Sequence, residues 1–232
     1  MSDISYDESI FAEVSSPYSH ENKAKQWDAL KDRGAAMQDI EPLALNSNDI
    51  LLDIGCGAGY HALTAADLCQ EVHAVDISSA MIDLLNKNLL KADVKNVWAH
   101  SGGFLSADFS SMRLTKAFSW GALHHLPDAW KTEALIRIAD ALPLGGTFLL
   151  MDLVYSFHPR ERSQRQKAYI SELSQIHGED TANDLSHAFR EEYVTYHQVL
   201  LWMLNEVGFT VKNIWTLPNK CWSNYLCVRE DY

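Results

Sequence analysis

The stretch Asp49–Tyr60, DILLDIGCGAGY, limits what this chain can become more than any other. Ile50, Leu51 and Leu52 run into an acid, Asp53, and Gly55, Gly57 and Gly59 follow at every second position. The next residues, HALTAADLCQ, have a helical pattern. An apolar strand, a glycine-rich turn and a helix, in that order, make a nucleotide-type binding loop of an α/β fold. Glycine is useful there because it accepts positive φ and lets the backbone approach a ligand. A dinucleotide fingerprint would place its third glycine at position 60, where Tyr60 stands, which disfavours nicotinamide chemistry. No G-K-S/T follows, so a phosphate-cradling P-loop is excluded.

What remains is D-x-G-x-G-x-G. In this form LLDIGCGAGY resembles the first motif of the class I S-adenosylmethionine-dependent methyltransferases. The resemblance implies a Rossmann-like, doubly wound α/β sheet of seven strands in the order 3-2-1-4-5-7-6, the last strand antiparallel. It also implies S-adenosyl-L-methionine as cofactor, released as S-adenosyl-L-homocysteine. Gly55, Cys56 and Gly57 would pass under the methionine tail and ribose, and Asp53 would lie near the cationic ammonium.

EVHAVDISSAMIDLLNKNLL predicts a strand over 71–76 and a helix from about Ser78. Asp76 ends that strand roughly 20 residues past the loop, where a nucleotide fold keeps its ribose-binding acid. Ile77 would lie against adenine, with Met81 one helical turn on. Helix capping is the other role open to Asp76, although Ser78 suits it better. A third strand is expected at 96–99. Many relatives carry an acid just after it; here Ser101-Gly102-Gly103 follows. Adenine recognition then falls to the backbone at Gly102 and Gly103, the Ser101 hydroxyl or packing by Phe104, with Asp108 a late substitute.

LTKAFSW predicts strand four over 114–120, and GALHHLPDAW after it resembles the fourth motif of small-molecule methyltransferases. Ser119, Trp120 and Gly121 would line the methyl-donor pocket. Adjacent residues on a helix diverge by about 100°, so His124 and His125 should not both face one ion, and no metal is expected. One should pack under the sheet while the other, His125, faces the cleft. The N/D/S-P-P-Y/F motif of amino-directed nucleic-acid enzymes, a cysteine nucleophile at this point and the paired glutamates of arginine methyltransferases are all missing.

A helix is expected over 127–142 and a strand over 147–153, with Asp152 near the sheet mouth. Residues 156–192 form a polar insertion with two helical patterns, placed over the cleft. Its PRERSQRQK run fits an anionic substrate or partner surface less well than a solvated helix face. TYHQVLLWMLNEVGF predicts a helix closed by Gly208, followed by two strands turning at Pro218-Asn219. At the N-terminus, a helix over 20–34 and a second over 35–45 would make residues 1–45 a lid. Tyr18 and Trp27 there would either touch ligand or simply pack. A general base is needed only for an acceptor protonated at neutral pH. His125, His158 and His197 are the candidates, with Asp152, Glu191, Glu192 and Tyr193 in the same region.

A formal net charge of −12 argues against nucleic acid as partner. Cys56, Cys69, Cys221 and Cys227 form no C-x-x-C pair and read as reduced cytosolic thiols. MSDISYDESIF lacks a basic start with an apolar core, and no apolar run approaches the ~18 residues of a membrane span. The expectation is therefore a cytoplasmic methyltransferase, a single domain over 1–232, acting on a small molecule without membrane contact. Oligomeric state is open, a homodimer included. The rivals are an RNA- or protein-directed enzyme, which needs a basic face, and a non-catalytic cofactor-binding module, whose pocket the insertion would block.

Overall fold

The computed structural model describes residues 33–230. Tyr18, Trp27 and almost all of the expected 20–34 helix lie outside them. The described chain starts with α1 (Arg33–Ile40) and a 3-10 turn, Glu41–Leu43, in place of one helix over 35–45. Strands β1 (Ile50–Ile54), β2 (Glu71–Asp76), β3 (Val97–Ser101) and β4 (Lys116–Trp120) then alternate with α2 (Tyr60–Ala65) and α3 (Ser79–Ala92). Beyond them come α4 (Asp128–Ala141) and β5 (Thr147–Tyr155). The insertion forms α5 (Arg162–His177) and α6 (Glu179–Glu191), and β6 (Thr195–Tyr196), α7 (His197–Glu206), β7 (Phe209–Thr216) and β8 (Trp222–Arg229) complete the chain.

The principal strands run in the order β3-β2-β1-β4-β5-β8-β7, with the two-residue β6 set beside β5. Counting β6 apart, this is the expected order. β8 lies antiparallel to both β5 and β7. Every residue of β1 is buried, as a central parallel strand covered on both faces requires. The third strand runs two residues further than expected, so Ser101 belongs to it and pairs in register with Asp76. The fourth starts two residues late because Thr115 is a connector whose hydroxyl accepts a hydrogen bond from Ile50 N (3.0 Å).

Two cores flank the sheet. On one side α4 and α7 close over Leu52, Ile54, Phe148 and Leu150. On the other, α1, α2 and α3 cover Leu51, Val72, Phe118 and Leu149. Helix α3 is capped by Ser78, as expected, and buries Met81, Ile82, Leu85 and Leu89 on one face. Each such side chain contributes roughly 1.5–3 kcal/mol. A third, smaller cluster unites the insertion with the sheet through Leu153, Tyr169, Leu185, Ala188 and Cys221. The PRERSQRQK residues lie mostly on the exposed side of α5, with Arg165 paired to Glu161, consistent with a solvated face. All four cysteines are free and buried. Among the described residues, no helix is long and apolar enough to cross a membrane.

Candidate active site

The glycine turn is built by close packing on two of its glycines and leaves the third open. Gly55 has φ +75°, and a Cβ there would lie 2.3 Å from the Cβ of Ala122. A Cβ on Gly59 (φ +85°) would lie 2.1 Å from Cδ1 of Leu85. Gly57, at φ +54°, would meet nothing within 4 Å. Its amide donates to Oδ2 of Asp76 (2.8 Å), while Ser78 N donates to Oδ1 (2.8 Å). Asp76 thus ties the turn to the start of α3. An ionised carboxylate has about four acceptor sites, so capacity for ribose hydroxyls remains. Open space over Gly57 beside this half-buried acid suits a nucleoside.

The other expected cofactor residues divide. Cys56 is buried with its thiol toward Gly57 O, Ile77 is half-buried, and Met81 packs on Ala58 of the turn. Asp53 stands one residue inside the end of β1 and is 1% exposed. The assignments after β3 need correction. Phe104 is a core residue packed with Ala107, Phe109 and Met112. The amide of Gly102 is taken by Asp76 O (3.0 Å) and that of Gly103 by Ser106 Oγ (2.9 Å). Asp108 is exposed and accepts from Ser110 N in its own turn.

Beside the turn lies a cavity of about 440 Å³. Trp120, Met151, Leu153, Tyr169, Leu185 and Trp222 make its apolar wall. Trp120 packs on Trp222 with ring centroids 4.9 Å apart. Ser119 does not join it there: it is fully buried, and its hydroxyl finds no hydrogen-bond partner among the described residues. Successive strand residues face opposite ways, so only one of the pair could line the cavity. Tyr60 and His61, just past the turn, line it too. His61 Nε2 lies 3.0 Å from Asp39 Oδ2 on α1, and the Tyr60 hydroxyl accepts from Ala36 N (3.0 Å). The Asp39–His61 pair, Tyr169 and Trp222 were not foreseen. Their only sequence signal was position near the expected cleft.

A polar wall is formed where the turn after β4 meets the end of α6. His124 lines the cavity, with Glu192 beside it. Asp152 accepts from His124 N at Oδ2 (3.0 Å) and from the ring Nδ1–H at Oδ1 (2.5 Å). The opposite nitrogen, Nε2, lies 3.0 Å from Glu192 Oε2, and His125 Nδ1 lies 3.3 Å from Oε1 of the same carboxylate. Burial opposes charge on His124, but Asp152 and Glu192 outweigh it and lift the imidazole pKa to about 10. Burial would likewise raise Glu192, yet the two imidazoles hold its carboxyl well below the usual range. Backbone bonds fix the arrangement: Tyr193 N donates to His124 O (3.0 Å), and buried Lys131 donates to Tyr193 O.

Three histidine assignments therefore change. His124, not His125, lines the cavity; the pair sits on a 3-10 turn, Leu123–His125, with ring centroids 4.3 Å apart, so both rings reach one carboxylate. The expected 100° divergence of an α-helix does not apply. His158 is exposed and accepts from Arg160 N. His197 is bonded to the Tyr225 hydroxyl (2.8 Å), and burial lowers its pKa. Neither lines the cavity. Of the other candidates, Glu191 and Tyr193 are exposed.

Residues 51–146 match the family model described as "Methyltransferase domain". The probable cobalt-precorrin-6B C(15)-methyltransferase (decarboxylating) of Methanococcus vannielii is 38% identical over 82 residues, covering 35% of this chain and 45% of that protein. The chain spans about half the length of the curated relatives it first matches. Among solved structures, the YcgJ protein of Bacillus subtilis superposes with a TM-score of 0.66 at 16% identity, covering 87% of this chain and 100% of that one. Haemonchus contortus phosphoethanolamine N-methyltransferase 2, solved with phosphomonomethylethanolamine and S-adenosylhomocysteine, gives 0.70 at 12% identity, covering 99% and 61%. The chain thus carries a stretch similar to a methyltransferase domain, on a fold shared with these solved structures. Residues 51–146 carry the glycine turn, Asp76, Trp120 and the His124-His125 pair, whereas Glu192 lies beyond the matched stretch.

Proposed function

We propose that this chain transfers the methyl group of S-adenosylmethionine to a small, largely apolar acceptor bound beside Trp120. The carrying observation is that an apolar cavity of about 440 Å³ lies against the segment on which the glycine turn packs: Trp120 lines the cavity, and Gly55 abuts Ala122 two residues on. Relatives named for small-molecule acceptors agree with this reading. The insertion lines the cavity and does not fill it, which favours an enzyme over a non-catalytic module.

When bound, the cofactor supplies a methyl carbon activated by a sulfonium leaving group. The chain's own task is then to hold and to exclude. Gly57 and Asp76 would seat the nucleoside, and Asp53 and Cys56 would flank the methionine portion. Trp120, Trp222 and Met151 keep water from the reacting carbon and hold the acceptor at attack distance, a contribution of up to ~7–11 kcal/mol in well-oriented reactions. His124, held positive by two acids, is not a base at neutral pH and serves to fix the wall.

Titration calorimetry of the full chain with S-adenosylhomocysteine, against NADH, tests the first half. Tight binding of the former alone is expected. A panel of apolar hydroxy, amino and carboxylic metabolites, scored by S-adenosylhomocysteine release, tests the second. Binding of NADH in place of the nucleoside, or turnover of RNA or protein alone, would overturn the proposal.

A further inference from the structure

We propose that His124, His125 and Glu192 form a transition-metal site on the acceptor wall, selective for ions that accept nitrogen ligands. One ligand atom from each residue lies within 4.8 Å of the others. The separations are 3.0 Å from His124 Nε2 to Glu192 Oε2 and 3.3 Å from His125 Nδ1 to Oε1. Ligand atoms about 2.0–2.1 Å from a tetrahedral ion stand roughly 3.3 Å apart, and each histidine nitrogen already stands near that distance from one oxygen of the shared carboxylate.

Three further features point the same way. Asp152 accepts from Nδ1–H of His124 at 2.5 Å, so Nε2 is the nitrogen that faces Glu192, and an ion bound there would displace the Nε2 proton. A carboxylate bonded to the far nitrogen of a histidine is the usual support of a metal-binding imidazole. Glu192 Oε2 is buried and, although 3.0 Å from Nε2, lacks a well-directed hydrogen bond among the described residues. Two atoms that face a common point, not each other, have this relation. Finally, the ligand backbones are tied together through Tyr193 N to His124 O, so the set is held in place before an ion arrives.

Two nitrogens and a carboxylate suit Zn²⁺, Co²⁺, Fe²⁺ or Ni²⁺ better than Mg²⁺, which prefers oxygen alone. Three protein ligands leave a coordination position open, the pattern of catalytic rather than structural sites. Because His124 and Glu192 both line the cavity, an ion there would adjoin the acceptor and could hold one of its oxygens. That role rests on the methyl-transfer reading; uptake of the ion does not.

The test uses the full chain, stripped with chelator and titrated with Co²⁺ and Zn²⁺. One equivalent of Co²⁺ should give visible d–d absorption of a low-coordinate nitrogen site, displaced by Zn²⁺. His125→Ala and Glu192→Gln should each weaken binding at least tenfold. His158→Ala should not, nor should His100→Ala, which removes a half-buried histidine 3.0 Å from His73. Thermal melts of the same variants show that each remains folded, and failure of the unmodified chain to bind S-adenosylhomocysteine in calorimetry would bear on the methyl-transfer reading alone. No uptake by the unmodified chain, uptake indifferent to His125→Ala and Glu192→Gln, or loss confined to His100→Ala would overturn the site.

Discussion

Replacing Gly57 with alanine should separate ligand contact from folding, because its neighbours in the turn behave differently. At φ +54° an alanine carries the left-handed cost, roughly 1–2 kcal/mol. Its methyl meets no atom within 4 Å, so no steric term is added. For a domain of this size that corresponds to a fall in Tm of roughly 2–8 °C. Gly55→Ala carries the same backbone cost and drives a methyl to 2.3 Å from the Ala122 Cβ, which must move with its turn. Overpacking of that kind adds about 1–3 kcal/mol. Thermal melts should therefore rank the chain above Gly57→Ala, and Gly57→Ala above Gly55→Ala. Affinity for S-adenosylhomocysteine should nevertheless fall at least tenfold in Gly57→Ala, about 1.4 kcal/mol, because the methyl fills the space over the turn. Calorimetry on the folded variant measures this directly. Undiminished affinity would show that the nucleoside does not cross Gly57, and a larger loss of stability than in Gly55→Ala would refute the packing account.

Asp76→Ala should weaken S-adenosylhomocysteine binding by more than tenfold, since it removes the proposed ribose acceptor and the group that holds Gly57 N and Ser78 N. Asp76→Asn, read by the same calorimetry, should lose less. Leu185→Trp should fill the cavity and abolish acceptor turnover while S-adenosylhomocysteine still binds; loss of both would place the cofactor in that cavity. Asp152→Asn leaves the buried His124 without its nearest counter-charge and should cost about 3–5 kcal/mol, read by urea unfolding. In the metal-free chain, the raised His124 pKa stabilises fully below its unfolded value of ~6.5, and the gain is lost as pH rises through about 10. Alkaline melts should show this decline, and Asp152→Asn should flatten it.

Much of the frame was legible because strong local patterns coincide with parallel pairing. The run Ile50–Leu52, the spaced glycines and Ser78 before an amphipathic helix specify β1, the turn and α3 without tertiary information. Strand order followed from the resemblance, and the two-residue β6 escaped because it is held only by pairing with Val154 and Tyr155. The site was less legible. Assigning both Ser119 and Trp120 to one pocket overlooked strand alternation, and Phe104 has an equally good claim to the core. The choice of His125 over His124 rested on helix geometry, whereas a 3-10 turn and an acid on the next strand, Asp152, decide the matter. Glu192 could not be paired with either histidine from sequence, since the contact depends on where a long insertion returns.

That return has a consequence for how such a chain diversifies. The insertion leaves the sheet at Tyr155 and comes back at Tyr196, which is the register partner of Tyr155, so its two feet stand side by side. Whatever is spliced between those feet leaves strand order and the glycine turn untouched while replacing much of the surface an acceptor meets. On the proposed methyl-transfer reading, acceptor selectivity would be carried on an exchangeable cassette. Exchange also has a built-in toll, because a cassette ending in anything but an acid at position 192 abandons the two histidines waiting for it.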